Sequence, residues 1–223
     1  MNDEYLKLKD FWNNHFKDSK SDEVLGKWVE DENFNRTVKK YIKEGSKVLE
    51  FGSGRGWGLI ELGYTVNIEE GIGIDQSINA VNTCNQTIEA SKIKNLKFIV
   101  GDENTLDNYI DYFDAVLTVN TFDVITDEAL ENVILSCKKV LKNDGYLLVS
   151  INPDFPLSFF EEKGFQIKND CIYRDNIFRS NNKTNDEWIE YLSQHFEFIE
   201  FVTFALSEME KTYPRRMFVF KKV

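Results

Sequence analysis

Proline, cysteine and histidine are all scarce in this sequence. Its 223 residues include three prolines, three cysteines and two histidines. Three scattered cysteines form neither a CxxC zinc pattern nor an even-numbered disulfide framework, so we expect small core residues and no metal site. With so few prolines, no proline-rich linker divides the chain, and its length fits one α/β domain. We therefore expect a single domain over residues 1–223.

The sequence also lacks a long apolar run. No stretch approaches the ~20 residues that a membrane helix needs, so we expect no membrane partner. The first residues show no basic segment followed by an apolar one, which predicts a cytoplasmic protein without a signal peptide.

Positively charged residues are also scarce relative to negatively charged ones. Lys and Arg total 27 against 38 Asp and Glu, which gives a formal net charge of −11. Non-specific binding to nucleic acids depends on Lys and Arg that neutralise phosphates. A nucleic-acid partner is therefore disfavoured.

Strand and helix patterns alternate along the middle of the chain. Short apolar strands are predicted at 47–51, 72–75, 96–100, 113–119 and 146–151, with helical spacing of apolar residues between them. Such alternation predicts a doubly wound, mostly parallel sheet in three layers. A helix at 185–195 precedes two last strands that have no helix between them, so these strands must pair antiparallel. We therefore expect an α/β fold with seven strands and an antiparallel C-terminal hairpin.

The strand at 47–51 runs directly into a glycine-rich loop that reads V-L-E-F-G-S-G-R-G-W-G from Val48 to Gly58. Glycines here allow a tight turn, and the next helix points free N–H groups at a ligand. Asp75 ends the following strand, 21 residues after Gly54, where an acid binds ribose hydroxyls in nucleoside-binding units. The loop alone can be only a turn, and Asp75 alone can be a helix cap. Together they predict a nucleoside site.

The spacing of the glycines narrows the choice of nucleoside. In the dinucleotide fingerprint G-x-G-x-x-G counted from Gly52, the third glycine position holds Trp57. The loop therefore does not specify a pyrophosphate, which disfavours a nicotinamide oxidoreductase. A G-x-x-x-x-G-K-[ST] loop for ATP is also missing from the sequence.

The run V-L-E-F-G-S-G-R-G resembles the first motif of the class I S-adenosylmethionine-dependent methyltransferases. In that family the glycines lie against the methionine and ribose of the cofactor, and the acid after strand two holds the ribose hydroxyls. The segment 101–103 is similar to the family's adenine-contacting segment, and 113–120 resembles its fourth-strand motif. Arg55 departs from the pattern, because small or polar residues are usual there. The resemblance implies these cofactor-binding residues: Glu50, Gly52, Ser53, Gly54, Asp75, Gln76, Asp102, Glu103 and Asn120.

The resemblance covers residues 45–151 well and the C-terminal topology loosely. Apolar residues before 45 indicate one or two amphipathic helices, namely Val24, Leu25, Trp28 and Val29, then Phe34, Val38, Tyr41 and Ile42. Residues 165–179 indicate short strands broken at 169–170 and 175–176. We expect an N-terminal helical cap (1–44), a cofactor-binding core (45–151), an insertion that can act as a lid (152–184), and a C-terminal helix with antiparallel strands (185–223).

The resemblance implies in-line methyl transfer from S-adenosylmethionine, with S-adenosylhomocysteine as product. The acidic composition weighs against RNA and DNA, so we expect a small molecule as acceptor. His15 and Asn120 are the candidate catalytic residues. His15 lies in an aromatic segment (5–16) of the kind that often folds over the cofactor, although such a histidine can also serve packing. Thr121, Asp123 and residues 152–156 are further candidates near the acceptor.

Other functions remain open at this stage. One is a module that binds S-adenosylmethionine without turnover, as a regulatory or assembly protein, and another is a protein methyltransferase. A DNA amino-methyltransferase is disfavoured, because its N-P-P-aromatic motif after strand four has no counterpart here. The sequence does not predict an oligomeric state.

Overall fold

The computed structural model describes residues 3–21 and 31–223. Within these ranges, two helices precede the first strand, α1 (Asp3–His15) and α2 (Glu32–Tyr41). The Asp31 side chain caps α2 by accepting from the N–H groups of Asn33 and Phe34. Phe34 and Val38 are buried, as their spacing predicts. The predicted helix around Val24 and Trp28 lies outside the described residues.

The strands form two sheets. In chain order they are β1 (Lys47–Phe51), β2 (Glu70–Asp75), β3 (Leu96–Val100), β4 (Phe113–Val119), β5 (Leu141–Ile151), β6 (Gln166–Lys168), β7 (Cys171–Arg174), β8 (Ile177–Asn181), β9 (Glu197–Phe204) and β10 (Arg215–Lys221). The larger sheet has seven strands in the order β3-β2-β1-β4-β5-β10-β9. Its first five strands are parallel, and β10 pairs antiparallel with both β5 and β9. The predicted mostly parallel sheet with an antiparallel end is confirmed.

Helices cover both faces of this sheet. After α2 come α3 (Trp57–Thr65), α4 (Ile78–Ala90), α5 (Asp127–Val140), α6 (Leu157–Glu162), α7 (Asn185–Ser193) and α8 (Glu208–Thr212). On one face α2, α3 and α4 pack with Val48 and Leu117 in one apolar cluster. On the other face α5 and α7 pack with Leu49 and Val116 in a second cluster. Neighbouring strand residues point to opposite faces, so strands buried on both faces are continuously apolar.

The small sheet confirms the prediction for residues 165–179. Strands β6, β7 and β8 pair antiparallel in that order. The breaks at 169–170 and 175–176 are tight turns in which all four residues have positive φ, between 50° and 59°. Asn and Asp tolerate this left-handed conformation better than other non-glycine residues. Strand β8 packs against α1 and against the 3-10 turn at 122–124.

Some boundaries differ from the sequence prediction. β5 begins at Leu141, five residues before the predicted start at 146, because Leu141 pairs with Phe113 and the register then shifts before Ala115. Residues 143–145 form an irregularity inside the strand, with Asp144 at φ 63°. Helices α6 and α8 are too short to show apolar periodicity, so the sequence does not reveal them. No helix among the described residues is long and apolar enough to cross a membrane.

Candidate active site

A cleft of about 320 Å³ lies at the carboxyl ends of the parallel strands. Open α/β sheets bind ligands at this edge, where the loops after successive strands converge. Asn152, after β5, lines the cleft together with loop residues that follow β1 to β4. Of the site residues predicted from the sequence, these line it: His15, Gly52, Ser53, Gly54, Asp75, Gln76, Asp102, Glu103 and Asn120.

The glycine loop lies against the turn that follows β4. Gly52 has φ 67°, and a Cβ atom there would lie 2.3 Å from Thr121 Cγ2. The Thr121 hydroxyl donates to the Gly52 carbonyl oxygen over 3.1 Å. Only glycine combines this left-handed backbone with so close an approach. The loop therefore exposes its backbone to the cleft.

Asp75 connects this loop to the start of α4. Its Oδ2 accepts from the Gly54 N–H and its Oδ1 from the Ser77 N–H, each over 2.8 Å. Burial raises the pKa of the Asp75 carboxyl, while the two N–H donors act in the opposite direction. A carboxylate has about four acceptor positions, so both oxygens can still accept from ligand hydroxyls. This fits the ribose of S-adenosylmethionine.

Glu50 lies beneath the loop and does not line the cleft. It is fully buried, and its Oε2 accepts from the Leu59 N–H in the first turn of α3 over 3.0 Å. A Cβ atom on Gly58 would lie 2.6 Å from Glu50 Oε1, so this helix position has room only for glycine. Burial raises the pKa of the Glu50 carboxyl to about 8. The structure thus gives Glu50 a supporting position, and the direct cofactor contact implied by the resemblance stays a prediction.

Two residues after β2 and β3 suit a base with an amino group. Gln76 Oε1 is buried without a hydrogen-bond partner among the described residues, so a ligand N–H would satisfy it. Asp102 Oδ1 accepts from the Asn104 N–H over 3.0 Å and caps the 3-10 turn that Glu103 begins. Asp102 is thus a loop cap that also lines the cleft. These residues fit the adenine of the cofactor.

Helix α1 lies over the cleft and presents Trp12, His15 and Phe16 to it. Asn13 holds the helix in place, because its Oδ1 accepts from the Ser77 hydroxyl over 3.0 Å. The His15 ring makes edge contacts with Trp12 and Phe16, with centroids 5.4 and 5.0 Å away. The aromatic segment therefore lines the cleft, and its position over the cofactor stays a prediction.

An ion pair between Arg215 and Glu210 lies beside the cleft, and sequence reasoning did not find it. Arg215 donates to both carboxylate oxygens of Glu210, and its Nη1 donates to Asn120 Oδ1 over 2.9 Å. Asn120 has φ 52°, and its N–H donates to the Ser150 carbonyl. Arg215 lies 95 residues from Asn120, so only the sheet topology brings the two together.

Metal ligands do not cluster in the part of the chain that the structure describes. Within residues 3–21 and 31–223, no group of three or more His, Cys, Asp or Glu side chains is arranged to hold a metal ion. Cys84 and Cys137 are buried, and burial raises the pKa of both thiols. They are core residues, as predicted.

Comparisons with known proteins agree with this geometry. A family model described as a methyltransferase domain matches residues 42–213. Human EEF1A lysine methyltransferase 2 is 32% identical over 136 residues, which are 55% of this chain and 56% of that protein. The chain thus spans little more than half the length of this curated relative.

Solved structures match over more of the chain. A SAM-dependent methyltransferase from Methanosarcina mazei has a TM-score of 0.69 at 17% identity and covers 84% of this chain and 97% of its own. Geranyl diphosphate C-methyltransferase from Streptomyces coelicolor has a TM-score of 0.67 at 11% identity over 100% and 99% of the two chains. Its structure contains S-adenosyl-L-homocysteine. These likenesses show the fold, and the match to the family model shows that the chain belongs to the class I S-adenosylmethionine-dependent methyltransferases.

Proposed function

We propose that this protein is an enzyme that transfers a methyl group from S-adenosylmethionine to a small-molecule acceptor. The observation that carries the proposal is the position of α1, whose aromatic residues lie over the same cleft that the glycine loop and Asp75 line. A helix over the cleft restricts access to the reacting groups, which favours a small acceptor over a folded protein surface. The volume of about 320 Å³ is at the lower end of the ~300–1,000 Å³ typical of small-molecule sites.

The main task of the protein in this reaction is to align the cofactor with the acceptor. When bound, S-adenosylmethionine supplies a methyl group on a positively charged sulfur, so transfer is an in-line displacement that leaves S-adenosylhomocysteine. Asp75 would hold the ribose and Gln76 and Asp102 the adenine, and Asn120 would lie beside the methionine end. Correct positioning of two reactants can lower the free-energy barrier of a reaction by ~7–11 kcal/mol. His15 is the candidate base for an acceptor that must release a proton.

A protein acceptor is the second candidate function. The similarity to human EEF1A lysine methyltransferase 2, at 32% identity over 136 residues, supports it. An acceptor lysine on an elongation factor would then have to reach the cleft past α1. Residues 152–184, which we propose as a lid or acceptor wall, would form part of that surface. The predicted division into four segments and the predicted cytoplasmic location stay proposals.

Calorimetric titration tests the cofactor first. We expect micromolar binding of S-adenosylmethionine and S-adenosylhomocysteine, no binding of NADH, and loss of binding in Asp75→Ala. Asp186→Ala removes an exposed carboxylate from α7 and should bind like the parent chain. Failure of both sulfur nucleosides to bind would refute the proposal.

Transfer of a radiolabelled methyl group then separates the two acceptor classes. The enzyme is incubated with a metabolite extract, with purified elongation factor, and with no acceptor. A labelled small product that chromatography separates from S-adenosylmethionine, and that forms only with the extract, supports a small acceptor. Label on the precipitated elongation factor supports the second function. Binding of the cofactor without transfer in either arm would indicate a non-catalytic binding protein.

A further inference from the structure

Two asparagine side chains line the cleft at the ends of neighbouring strands, Asn120 after β4 and Asn152 after β5. A neighbouring side chain determines which way each amide faces. A guanidinium only donates hydrogen bonds, so Asn120 turns Oδ1 towards Arg215 Nη1, 2.9 Å away. Asp123 Oδ2 already accepts from the Asn152 N–H over 3.1 Å, so Asn152 turns its donor Nδ2 towards the same oxygen, 2.7 Å away.

These orientations leave one donor and one acceptor for a ligand. Within the described residues, no side chain or backbone group bonds Asn120 Nδ2 or Asn152 Oδ1, and neither atom is enclosed. The cleft therefore offers an N–H donor from one strand end and a carbonyl oxygen from the next. Asn120 would have to break a charge-assisted hydrogen bond to Arg215 in order to flip, and Asn152 would have to break its hydrogen bond to the buried Asp123.

The groups that hold the two amides are themselves fixed. Glu210 accepts from Arg215 Nε and Nη2, and its Oε2 also accepts from the Leu206 N–H over 2.7 Å. Asp123 is only 2% exposed and also accepts from the Asn152 N–H over 3.1 Å. Several hydrogen bonds to Glu210 restrict Arg215, and two hydrogen bonds to one oxygen of Asp123 restrict Asn152. Asp123 Oδ1 is buried without a partner among the described residues. The restricted Arg215 and Asn152 preorganise the donor and acceptor positions.

Apolar residues line the same cleft as the two amides. Trp12 from α1 and Val124 and Ile125 from the segment after β4 all lie in its wall. The cleft therefore offers an apolar surface together with the polar pair.

We propose that Asn120 and Asn152 form an acceptor subsite that recognises a neutral hydroxyl carried on an apolar body. A hydroxyl accepts from Asn120 Nδ2 and donates to Asn152 Oδ1 at the same time. An ammonium has no lone pair for Asn120, and a carboxylate has no proton for Asn152. Arg215 and Asp123 are positioning residues that act through the two amides. The inference rests on the proposed function, because it assigns the acceptor end of the same cleft.

Three probes of one shape test this recognition: 2-naphthol, 2-naphthoate and 2-naphthylmethylammonium. Each is titrated calorimetrically at pH 7 into the full chain saturated with S-adenosylhomocysteine, so that no turnover is needed. An unsatisfied polar partner costs ~1–3 kcal/mol, so 2-naphthol should bind at least ~10-fold more tightly than either charged probe. Equal affinity for the three probes, or no binding of any, overturns the inference.

Asn120→Asp replaces the donor by an oxygen at nearly constant volume, and Arg215 can still pair with it. We expect this variant to lose the preference for 2-naphthol over the ammonium probe. Asn132→Asp makes the same charge change on the exposed face of α5 and should keep the preference. Unchanged probe ratios in Asn120→Asp would also overturn the inference.

A variant of Asp123 tests whether this residue positions the Asn152 amide. Asp123→Asn removes the carboxylate that orients Asn152, so the amide can turn Nδ2 towards the cleft. We expect the gap between 2-naphthol and 2-naphthoate to narrow to less than ~3-fold, while affinity for S-adenosylhomocysteine stays unchanged. A uniform loss of affinity for all probes would show a merely structural role. If the parent chain does not bind S-adenosylhomocysteine, the proposed function fails, and if it binds without discriminating the probes, only this inference fails.

Discussion

Replacing Glu50 by glutamine tests the assignment of this residue as a buried support of the glycine loop. Glutamine keeps the shape of the side chain, and its carbonyl oxygen can still accept from the Leu59 N–H, which lies 3.0 Å from the carboxylate. It removes the proton equilibrium of a carboxyl that is completely buried. The variant therefore separates the cost of ionising Glu50 from the packing of the loop.

The direction in which stability changes with pH depends on the pKa of Glu50 in the folded and in the unfolded chain. Its pKa is about 8 in the folded protein, against 4.5 for an ordinary glutamate. Between these pH values the folded chain holds a proton that the unfolded chain has released. The free energy of unfolding therefore falls as pH rises from ~4.5 to ~8, and it levels off above that range. The slope is at most ~1.4 kcal/mol per pH unit, and the total is at most ~5 kcal/mol.

Urea unfolding of the parent chain and Glu50→Gln, measured from pH 5 to pH 9, gives the difference directly. We expect Glu50→Gln to gain at least ~2 kcal/mol on the parent chain between pH 5 and pH 8, out of the ~5 kcal/mol maximum. Asp123 also has a raised pKa, but its contribution cancels in the difference. The charge of Asp75 contributes to the raised pKa of Glu50, so the difference includes this interaction. Glu89→Gln, at an exposed position of α4, should give a difference that does not vary with pH.

A parallel stability curve for Glu50→Gln would refute the reasoning, because it would mean that Glu50 is ionised in the folded protein throughout. Affinity for S-adenosylhomocysteine provides a second check. A supporting residue should leave this affinity within ~3-fold of the parent value at pH 6, where the folded-state carboxyl is protonated. A larger loss would favour the direct cofactor contact that the sequence resemblance implies.

Three further predictions concern the loop, the ribose site and α1. Gly52→Ala should lower the free energy of unfolding by ~2–5 kcal/mol, because the residue has a positive φ and its new Cβ atom would clash with Thr121. Adding Thr121→Gly to this variant should recover only the part of the loss that comes from the clash. Full recovery of stability in urea unfolding would contradict the argument from the backbone conformation. Asp75→Asn should weaken S-adenosylhomocysteine binding at least ~10-fold in calorimetry, because charged hydrogen bonds contribute ~1.5–3 kcal/mol; unchanged affinity would place the ribose elsewhere. Asn13→Ala should speed amide hydrogen exchange across α1, since each lost bond costs ~0.5–1.5 kcal/mol; unchanged exchange would mean that other contacts hold the helix.

The fold was predictable because its signals are local. The strands after residue 45 and the alternating helices appear as apolar runs and helical spacing, and the observed β1, β3 and β4 begin and end where the sequence predicts. Irregular elements were not predictable in the same way. Helices α6 and α8 are short, and the extension of β5 to Leu141 depends on pairing with Phe113.

By itself, the sequence determined the family and the sheet, and it predicted most of the residues that line one half of the cleft. The glycine loop, Asp75 and the segment at 101–103 lie directly after strands, and the carboxyl ends of parallel strands meet at one edge. Tertiary structure alone decided the supporting role of Glu50 and the direction in which each amide faces. Asn120 meets Arg215 across 95 residues and Asn152 meets Asp123 across 29. A hydrogen bond depends on distances of a few tenths of an ångström, and no spacing in the sequence encodes those distances between strands that are far apart along the chain.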